Sequence, residues 1–309
     1  MKIYQGIDEF KKVDNAIVTS GTFDGVHVGH QQILRRLKEI AIESKGETVL
    51  ITYWPHPRLV LNPKDDSLKL LSTFEEKANL LKISGVDHLI SIPFTKAFSN
   101  LTSEVFIQQI LVEKIGTYKL IIGYDHRFGK NREGSFDHLK ENASTYGFKV
   151  EEIPRQDIDN IAVSSTKIRK ALESGDVLIA NHFLGRPYSI SGVVIQGEKY
   201  GRTIGFPTAN LQVPHTFKLI PADGTYAVRV KYNEDLYQGM INIGYRPTRN
   251  GKFKTIEVNI FDFDQEIYGE ELSIYFMEHI RQEVKFADEV ALRDQLIKDK
   301  EIAKAILIV

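Results

Sequence analysis

The first part of the chain alternates between short apolar runs with the period of a strand and longer runs with the period of a helix. The runs predicted as strands are 16–19, 48–54, 86–92 and 118–122. The stretches between them repeat apolar residues every three or four positions, as helices do; they are 33–46, 73–85 and 102–115. Strands that alternate with helices predict an α/β domain with a doubly wound parallel sheet.

The period changes to 2 near residue 185, after a short helix predicted to end at Leu184. The strands predicted beyond that point are 188–195, 225–230, 238–243, 254–263 and 272–277, with a closing helix at 286–305. Such a series of strands and short turns predicts a small antiparallel β-barrel with a C-terminal helix. The chain of 309 residues is long enough for two domains, which we expect at 1–184 and 185–309.

A glycine-rich turn from Gly21 to His30 lies between the first predicted strand and its helix. Its three glycines let the backbone approach a ligand, and the N-terminus of the helix suits phosphate. His27 and His30 are three apart, so both rings can donate hydrogen bonds to an anion from one face. The pattern indicates a phosphate-binding turn; a structural turn and a metal site are the alternatives, although two histidines make a poor zinc site. The candidate nucleotide contacts are Gly21, Phe23, Asp24 and Gly29.

Two further loops follow strands of the same predicted sheet, at 54–58 and 123–132. Ligands of doubly wound sheets sit beyond the carboxyl ends of the strands, so we expect these loops to meet the glycine-rich turn at one cleft. Asp125 is a candidate contact for a nucleotide or substrate hydroxyl, and an ordinary turn aspartate is the alternative. His56 and Arg58 have the charge for phosphate contacts, although they also fit an ordinary loop.

Three hydroxyl residues, Ser164, Ser165 and Thr166, precede another predicted helix. A helix N-cap needs only one hydroxyl, which is the simpler interpretation of the segment. Arg169 lies one helical turn further along and can fork onto phosphate oxygens. The four residues together indicate a second phosphate cradle.

A second glycine-rich segment lies in the predicted barrel, with Gly197, Gly201 and Gly205 followed by Thr208 and Asn210. The glycines indicate a mobile loop or one that lies close to phosphate. Thr208 and Asn210 face the same way in an extended chain, and their oxygens suit Mg²⁺. An ordinary barrel hairpin with Gly and Asn is the alternative.

Several of these motifs resemble known families. Gly-Thr-Phe-Asp-Gly-Val-His-Val-Gly-His at 21–30 resembles the His-x-Gly-His signature of nucleotidylyltransferases, in the longer form of bacterial bifunctional riboflavin kinase/FAD synthetases. The segment 123–129 resembles that family's Gly-x-Asp-Phe-x-Phe-Gly, with His126 in place of an aromatic residue, and 163–169 is similar to its Ile-Ser-Ser-Thr-x-Ile-Arg. The segment 196–210 resembles the riboflavin kinase signature that ends Gly-Phe-Pro-Thr-Ala-Asn, with Lys199 where a glycine is usual.

The resemblance covers nearly the whole chain and implies two reactions. The barrel would convert riboflavin and ATP to FMN and ADP, and the first domain would convert FMN and ATP to FAD and pyrophosphate. Riboflavin, FMN, FAD and ATP would be the partners, with ATP as co-substrate and Mg²⁺ as cofactor. The resemblance makes Glu257 the base for the riboflavin hydroxyl, whereas a lone glutamate in a strand is ordinarily on a solvated face.

FMN phosphate is already anionic, so its adenylylation needs positioning and charge stabilisation rather than a base. His27, His30, Ser165 and Arg169 can supply both. One rival hypothesis is a nucleotidylyltransferase for another phosphorylated acceptor, and the kinase motif at 205–210 argues against it. Another is a non-catalytic barrel that binds oligonucleotide, which would need basic and aromatic residues interleaved on one face.

Composition narrows the expected partners and location. Lys and Arg number 40 against 41 Asp and Glu, so no basic excess favours nucleic acid or an anionic membrane. The absence of cysteine excludes disulfides and thiolate chemistry, and it fits a reducing cytoplasm. We also expect no signal peptide and no membrane span, because no apolar run approaches the roughly 20 residues needed. The sequence makes no prediction of oligomeric state.

Overall fold

The computed structural model describes residues 1–65, 67–123, 128–130, 133–153, 163–197, 200–248 and 251–308. Its contacts divide the chain into two compact units, Met1–Ser165 and Thr166–Val309. Asp125, His126 and Lys199, which the sequence analysis singled out, lie outside the described residues. Within the described ranges, no helix is both long and apolar enough to cross a membrane.

The N-terminal unit contains a six-stranded sheet in the order β1-β4-β3-β2-β5-β6. Every neighbouring pair is parallel, which confirms the predicted doubly wound α/β fold. The strands are β1 Lys2–Tyr4, β2 Ala16–Ser20, β3 Thr48–Trp54, β4 His88–Pro93, β5 Thr117–Gly123 and β6 Lys149–Ile153. The strand order reverses beside β2, and a reversal point is where such sheets bind ligands.

Helices cover both faces of this sheet, so its central strands are buried on two sides and form continuous apolar runs. They are α1 Val28–Ser44, α2 Pro57–Leu61, α3 Phe74–Ile83, α4 Ser103–Val105, which continues as a π-helix over Phe106–Ile115, and α5 Phe136–Tyr146. The helix α3 begins with a capping box, in which the Thr73 side chain accepts from the Glu76 N–H and the Glu76 carboxylate accepts from the Thr73 N–H. This box fixes where α3 begins.

Four of these elements were not predicted: β1, α2, α5 and β6. The strands β1 and β6 are the two edges of the sheet. An edge strand is covered less completely, so its sequence carries a weaker apolar pattern; in β6 only Ile153 is fully buried. β1 and β6 are recognised as strands from their pairing with β4 and β5 rather than from their own residue pattern.

The C-terminal unit contains an antiparallel barrel, as predicted, and it is closed in the order β10-β11-β8-β7-β12-β9. The strand β8 was not among the five that the sequence predicted. Its strands are β7 Tyr188–Ile195, β8 Ala209–Gln212, β9 Gly224–Tyr232, β10 Asp235–Thr248, β11 Gly251–Ile260 and β12 Glu271–Arg281. Its helices are α6 Ser165–Glu173, which crosses the division between the units, α7 Val177–Leu184, α8 Tyr200–Thr203 and α9 Glu289–Leu307. The strands β10 and β11 are longer than predicted and pair along a hairpin from Gly239↔Ile260 to Thr248↔Gly251.

The helices α6 and α7 are bonded to the barrel. The Ala222 N–H donates to the Leu172 carbonyl at 2.9 Å. Asn181 at the end of α7 donates to the Phe276 carbonyl at 2.8 Å and accepts from the Tyr188 N–H at 2.6 Å. The compact C-terminal unit therefore begins before residue 185, and a domain boundary after Leu184 stays a prediction.

The predicted closing helix is α9, which packs on the outside of the barrel. Asp299 on α9 is fully buried and accepts from the guanidinium of Arg281 at 2.8 and 2.9 Å. Gln295 donates to the same carboxylate at 2.8 Å. Because an uncompensated buried carboxylate is costly, this pair fixes α9 at one place on β12.

Candidate active sites

The glycine-rich turn leaves β2 and enters α1 as the sequence predicts. His27 is the N-cap of α1, and its Nδ1 accepts the His30 N–H at 3.3 Å. The His27 ring is buried and stacks on the His30 ring, with 3.7 Å between centroids and 15° between planes. The structure thus brings both predicted histidines together at the N-terminus of a 17-residue helix.

The hydrogen bonds of the two rings define how they can act. Because Nδ1 of His27 accepts, a neutral His27 ring carries its proton on Nε2 and can donate from there. Nδ1 of His30 is buried and has no hydrogen-bond partner among the described residues. Burial, the neighbouring His27 and the charge of Lys77 lower the pKa of His30 well below its ordinary value. His30 is therefore neutral near pH 7.

Asp24 anchors this turn to the segment before α3. Its buried carboxylate accepts the Leu71 N–H at 3.0 and 3.1 Å and the Ser72 N–H at 3.1 Å. The Ser72 hydroxyl in turn accepts the Gly25 N–H at 3.1 Å. These bonds give Asp24 a structural task, in addition to the nucleotide contact that the sequence predicts.

The backbone of the turn explains why it needs such anchors. Phe23, Gly25 and Val26 have φ angles of 47°, 80° and 40°. A positive φ is easy for glycine but costly for a bulky or β-branched residue. Of the other predicted contacts, Gly21 lies against the Phe23 ring and Gly29 is buried in the first turn of α1.

The predicted second cradle begins α6. The Ser165 hydroxyl donates to the Asp24 carbonyl at 3.1 Å, which joins it directly to the glycine-rich turn. Ser164 is half-buried and Thr166 is exposed. Arg169 follows Ser165 by four residues, so the two share one face of α6. Among these four residues, Ser165 is the one that we find bonded to the glycine-rich turn.

Of the other two loops, 54–58 leaves β3, the neighbour of β2, at the same edge of the sheet. His56 caps α2 by accepting the Arg58 N–H at 3.2 Å, and Arg58 is 3.8 Å from Asp65. The loop after β5 leaves the same edge, but its residues 124–127 lie outside the described part of the chain.

Lys77 was missed by the sequence analysis. It is buried on α3 and donates to the Thr22 carbonyl at 3.2 Å and to the Thr52 hydroxyl at 2.9 Å. A signal was available: Lys77 stands one turn before Leu81 on the apolar face of α3, where a charged residue is out of place.

The barrel unit has a cleft of about 240 Å³ between its outer wall and α9. Its lining divides into apolar residues and residues that carry hydroxyl, amide or carboxylate groups. Its apolar lining includes Ile204, Phe206, Met240, Phe286, Leu292 and Leu296, and its polar lining includes Thr208, Asn242, Glu257 and Asn259. This division suits a ligand with a flat apolar part and a polar tail.

Three predicted residues meet in this region. Glu257 on β11 lies opposite Asn210 on β8 in the strand register. The Thr208 hydroxyl is 3.4 Å from a carboxylate oxygen of Glu257. Ile256 and Val258 are buried, while Glu257 is half-buried and lines the cleft, so alternation along β11 turns it away from both neighbours.

Asn259, two residues further along β11, supports this arrangement and was also missed. Its amide donates to the Pro207 carbonyl at 2.7 Å, which holds the chain just before Thr208. Being two positions from Glu257 in a strand, it points to the same side. That spacing was readable in the sequence.

The glycines of the second motif surround the same segment. A side chain on Gly197 would collide with the Asn210 amide, and one on Gly201 would collide with the Phe206 carbonyl. Gly205 has a φ of 84°. These glycines thus allow the loop to lie against 206–210, and their predicted contact with a nucleotide stays a prediction.

Comparison with known proteins agrees with both halves of this description. The FAD synthetase family model matches residues 9–167, and the riboflavin kinase family model matches residues 184–307. Proteins named bifunctional riboflavin kinase/FMN adenylyltransferase from Buchnera aphidicola and Haemophilus influenzae are 39% and 38% identical to this chain. The first alignment covers 98% of each protein and the second covers 99% of each.

A solved structure described as a macrolide-efflux protein from Streptococcus pneumoniae has the same fold. It is 32% identical to this chain with a TM-score of 0.90, and the match covers 98% of both chains. Its description names another function, so the assignment rests on the family models and the curated relatives. On that basis, the chain belongs to the family of bifunctional riboflavin kinase/FMN adenylyltransferases, as the motifs in its sequence indicated.

Proposed function

We propose that the barrel unit transfers the γ-phosphate of ATP to riboflavin, and that the N-terminal unit joins the resulting FMN to the adenylyl group of a second ATP. The products are FMN and ADP in the first reaction, and FAD and pyrophosphate in the second. The observation that carries the proposal is the barrel cleft, which Thr208 and Glu257 line together with apolar side chains, and Asn210 lies opposite Glu257 in the strand register. Riboflavin has a matching division into an aromatic ring system and a hydroxylated chain.

In the kinase reaction, the oxygen of the terminal ribityl hydroxyl forms a bond to the γ-phosphorus as the bond from that phosphorus to ADP breaks. Glu257 accepts the hydroxyl proton, because an alcohol is a weak nucleophile while it keeps that proton. The position of Glu257 supports this role, since its carboxylate lines the cleft beside the Thr208 hydroxyl. The loop that precedes Thr208 can approach the phosphates of ATP, because it contains Gly197, Gly201 and Gly205.

Thr208 and Asn210 would hold Mg²⁺ in this site. A hydroxyl and a carboxamide oxygen beside a carboxylate fit a hard cation that keeps several waters. Among the described residues there is no group of three or more His, Asp or Glu that could form a denser cage. The ion would neutralise charge on the phosphates of ATP.

In the adenylylation reaction, a phosphate oxygen of FMN attacks the α-phosphorus of ATP, and the bond from that phosphorus to pyrophosphate breaks. No proton has to be removed from the nucleophile, so the unit only positions the groups and stabilises charge. His27 donates from Nε2, and the His30 ring and the backbone at the N-terminus of α1 add further donors.

We assign the other contacts of the adenylylation site from the sequence motifs. Ser164, Ser165, Thr166 and Arg169 bind phosphate at the start of α6. The bond from Ser165 to the Asp24 carbonyl supports this assignment, because it joins the two motifs. Gly21, Phe23, Asp24, Gly29 and Asp125 complete the proposed nucleotide contacts. We further propose a cytoplasmic location, which the absence of cysteine favours.

The test is to incubate the pure protein with riboflavin and Mg-ATP and to separate the flavins by chromatography over time. FMN should form first, and FAD should follow with one pyrophosphate released per FAD. Supplied FMN should give FAD without a lag. A protein that makes FMN but never FAD would contradict the N-terminal assignment, and one that converts neither flavin would contradict both.

A further inference from the structure

The ammonium of Lys77 is buried directly beneath the glycine-rich turn. The residue is 3% exposed, and its Nζ donates to two neutral oxygens of the described residues, those of Thr22 and Thr52. The rings of Trp54 and Phe74 lie with their centroids 5.3 and 5.8 Å from Nζ. No ion pair of Lys77 is found within the described part of the chain. Burial disfavours the charged form of a lysine, and the negative charge of the nearby Asp24 offsets this effect only in part, so the presence of Lys77 calls for a functional explanation.

The bond to Thr22 acts on the backbone where the turn begins. Further along, Asp24 is held by Leu71 and Ser72, and the Val26 carbonyl accepts from Gln31 at 3.0 Å. The turn between these anchors contains the unfavourable positive φ angles described above. Backbone strain of this kind persists only when surrounding groups hold it in place. The Lys77 ammonium and the Thr52 hydroxyl, which donates to the same carbonyl at 3.3 Å, hold the turn at Thr22.

The charge of Lys77 also acts on the site. It contributes to the low pKa of His30, and the charge of Asp24 acts on Lys77 in the opposite sense. Asp24 and His30 are the titratable groups whose interaction with Lys77 is described. Burial lowers the pKa of Lys77 to about 8, so the ammonium is charged at pH 7 and loses its proton in mild alkali.

We propose that Lys77 is a positioning residue of the adenylylation reaction, which holds the Thr22 carbonyl and keeps positive charge beneath the phosphate-binding turn. The inference rests on the proposed adenylylation at this turn. Lys77 acts through the turn, because its Nζ is already bonded to Thr22 and Thr52 and is closed to solvent. A cation at this place attracts the phosphate groups bound at the turn, and it does so without contacting them.

The first test is the pH profile of the unmodified protein, which depends on no variant folding correctly. The kcat for FAD formation from FMN should fall as the pH rises through about 8, where Lys77 loses its charge. In Lys77→Arg this decline should move to higher pH, because a guanidinium keeps its proton. A wild-type profile that stays flat from pH 7 to 9 would overturn the proposal.

The second test compares Lys77→Met with Lys82→Met, a control at an exposed lysine of the same helix. At pH 7, Lys77→Met should lower kcat for adenylylation between about 10-fold and 10²-fold, as expected when reacting groups are misplaced. The KM values for FMN and ATP should change much less, and Lys82→Met should match the wild type. Riboflavin phosphorylation by both variants should be unchanged.

The outcomes separate this inference from the proposed function. If the wild type makes no FAD, adenylylation itself is wrong. If the wild type makes FAD and Lys77→Met does so within twofold, only the role of Lys77 is wrong. If Lys77→Met loses thermal stability and activity together while the wild-type profile is flat, Lys77 is merely structural and the proposal fails.

Discussion

The two candidate sites differ in what holds their chemical groups in place. In the N-terminal unit, a turn with unfavourable backbone angles carries the site, and buried side chains such as Asp24 and Lys77 secure its backbone. In the barrel, Asn210 and Glu257 stand on paired strands, and the strand ladder fixes their separation. The first site therefore depends on side chains distant in sequence, and the second depends mainly on backbone pairing.

This difference teaches which substitutions should affect chemistry alone. A side chain that projects from a strand can be exchanged with little effect on the backbone around it. A side chain that restrains a strained turn affects every group on that turn. Substitutions in the barrel site should therefore lower the rate of the kinase reaction without disturbing the structure around it. At the turn, even substitutions of residues that never contact a substrate should lower the rate of adenylylation.

The largest effect should come from Glu257→Gln. The amide keeps the size of the side chain but cannot accept a proton, so kinase turnover should fall by roughly 10²–10⁴. Binding of riboflavin and ATP should change little, because the loss lies in the transition state. The measurement is FMN formation over a Mg²⁺ series, with the exposed Glu271→Gln as control.

Thr208→Ala and Asn210→Ala in the same series distinguish a base from a metal ligand. Excess Mg²⁺ should partly restore these two variants and should leave Glu257→Gln inactive. Restoration of Glu257→Gln by the metal would make Glu257 a ligand instead. Near wild-type turnover would leave it as an ordinary strand residue.

His27→Ala and His30→Ala should show the next largest effect. Each removes a donor beside the N-terminus of α1, which should cost roughly 3–4 kcal/mol of barrier, or about 10²–10³ in the rate of FAD formation. FMN formation should stay near normal. Separate assays of the two steps decide the point, with His138→Ala in the same unit as control. Full FAD synthesis by both variants would show that the histidines only cap the helix.

The smallest effect concerns where the barrel unit begins. Fragments 166–309 and 185–309 should both phosphorylate riboflavin and make no FAD. The shorter fragment lacks the bonds from Leu172 and Asn181, so it should unfold roughly 5–10 °C lower. Thermal unfolding and FMN formation are measured on both. Equal stability would support a boundary after Leu184, and a folded but inert longer fragment would contradict the domain assignment.

The sequence predicted the central strands, the barrel and the family because each depends on local patterns or contiguous motifs. The motifs at 21–30 and 205–210 could be recognised from their own residues. The partners of those motifs were less accessible. Lys77 and Asp299 are charged residues in interiors, and only the tertiary fold shows what each one contacts.

Asp24 shows that a residue recognised from its motif can also have a role that the motif does not reveal. Its place in a nucleotide motif predicts contact with a ligand, whereas its carboxylate also bonds the backbone at Leu71 and Ser72. Those partners lie more than 40 positions away, and backbone N–H groups leave no trace in a sequence. Only the folded structure shows that Asp24 also has this structural role, because folding brings the segment before α3 into contact with the turn after β2.

The closed barrel also has a consequence for the order of synthesis. β12 pairs with both β7 and β9, so the barrel cannot close until the ribosome has released residue 281. In the described part of the chain, the last strand of the parallel sheet is β6, which ends at Ile153. Synthesis from the N-terminus therefore completes every described strand of the adenylylation unit while most of the kinase is still unmade, although the kinase catalyses the first of the two reactions.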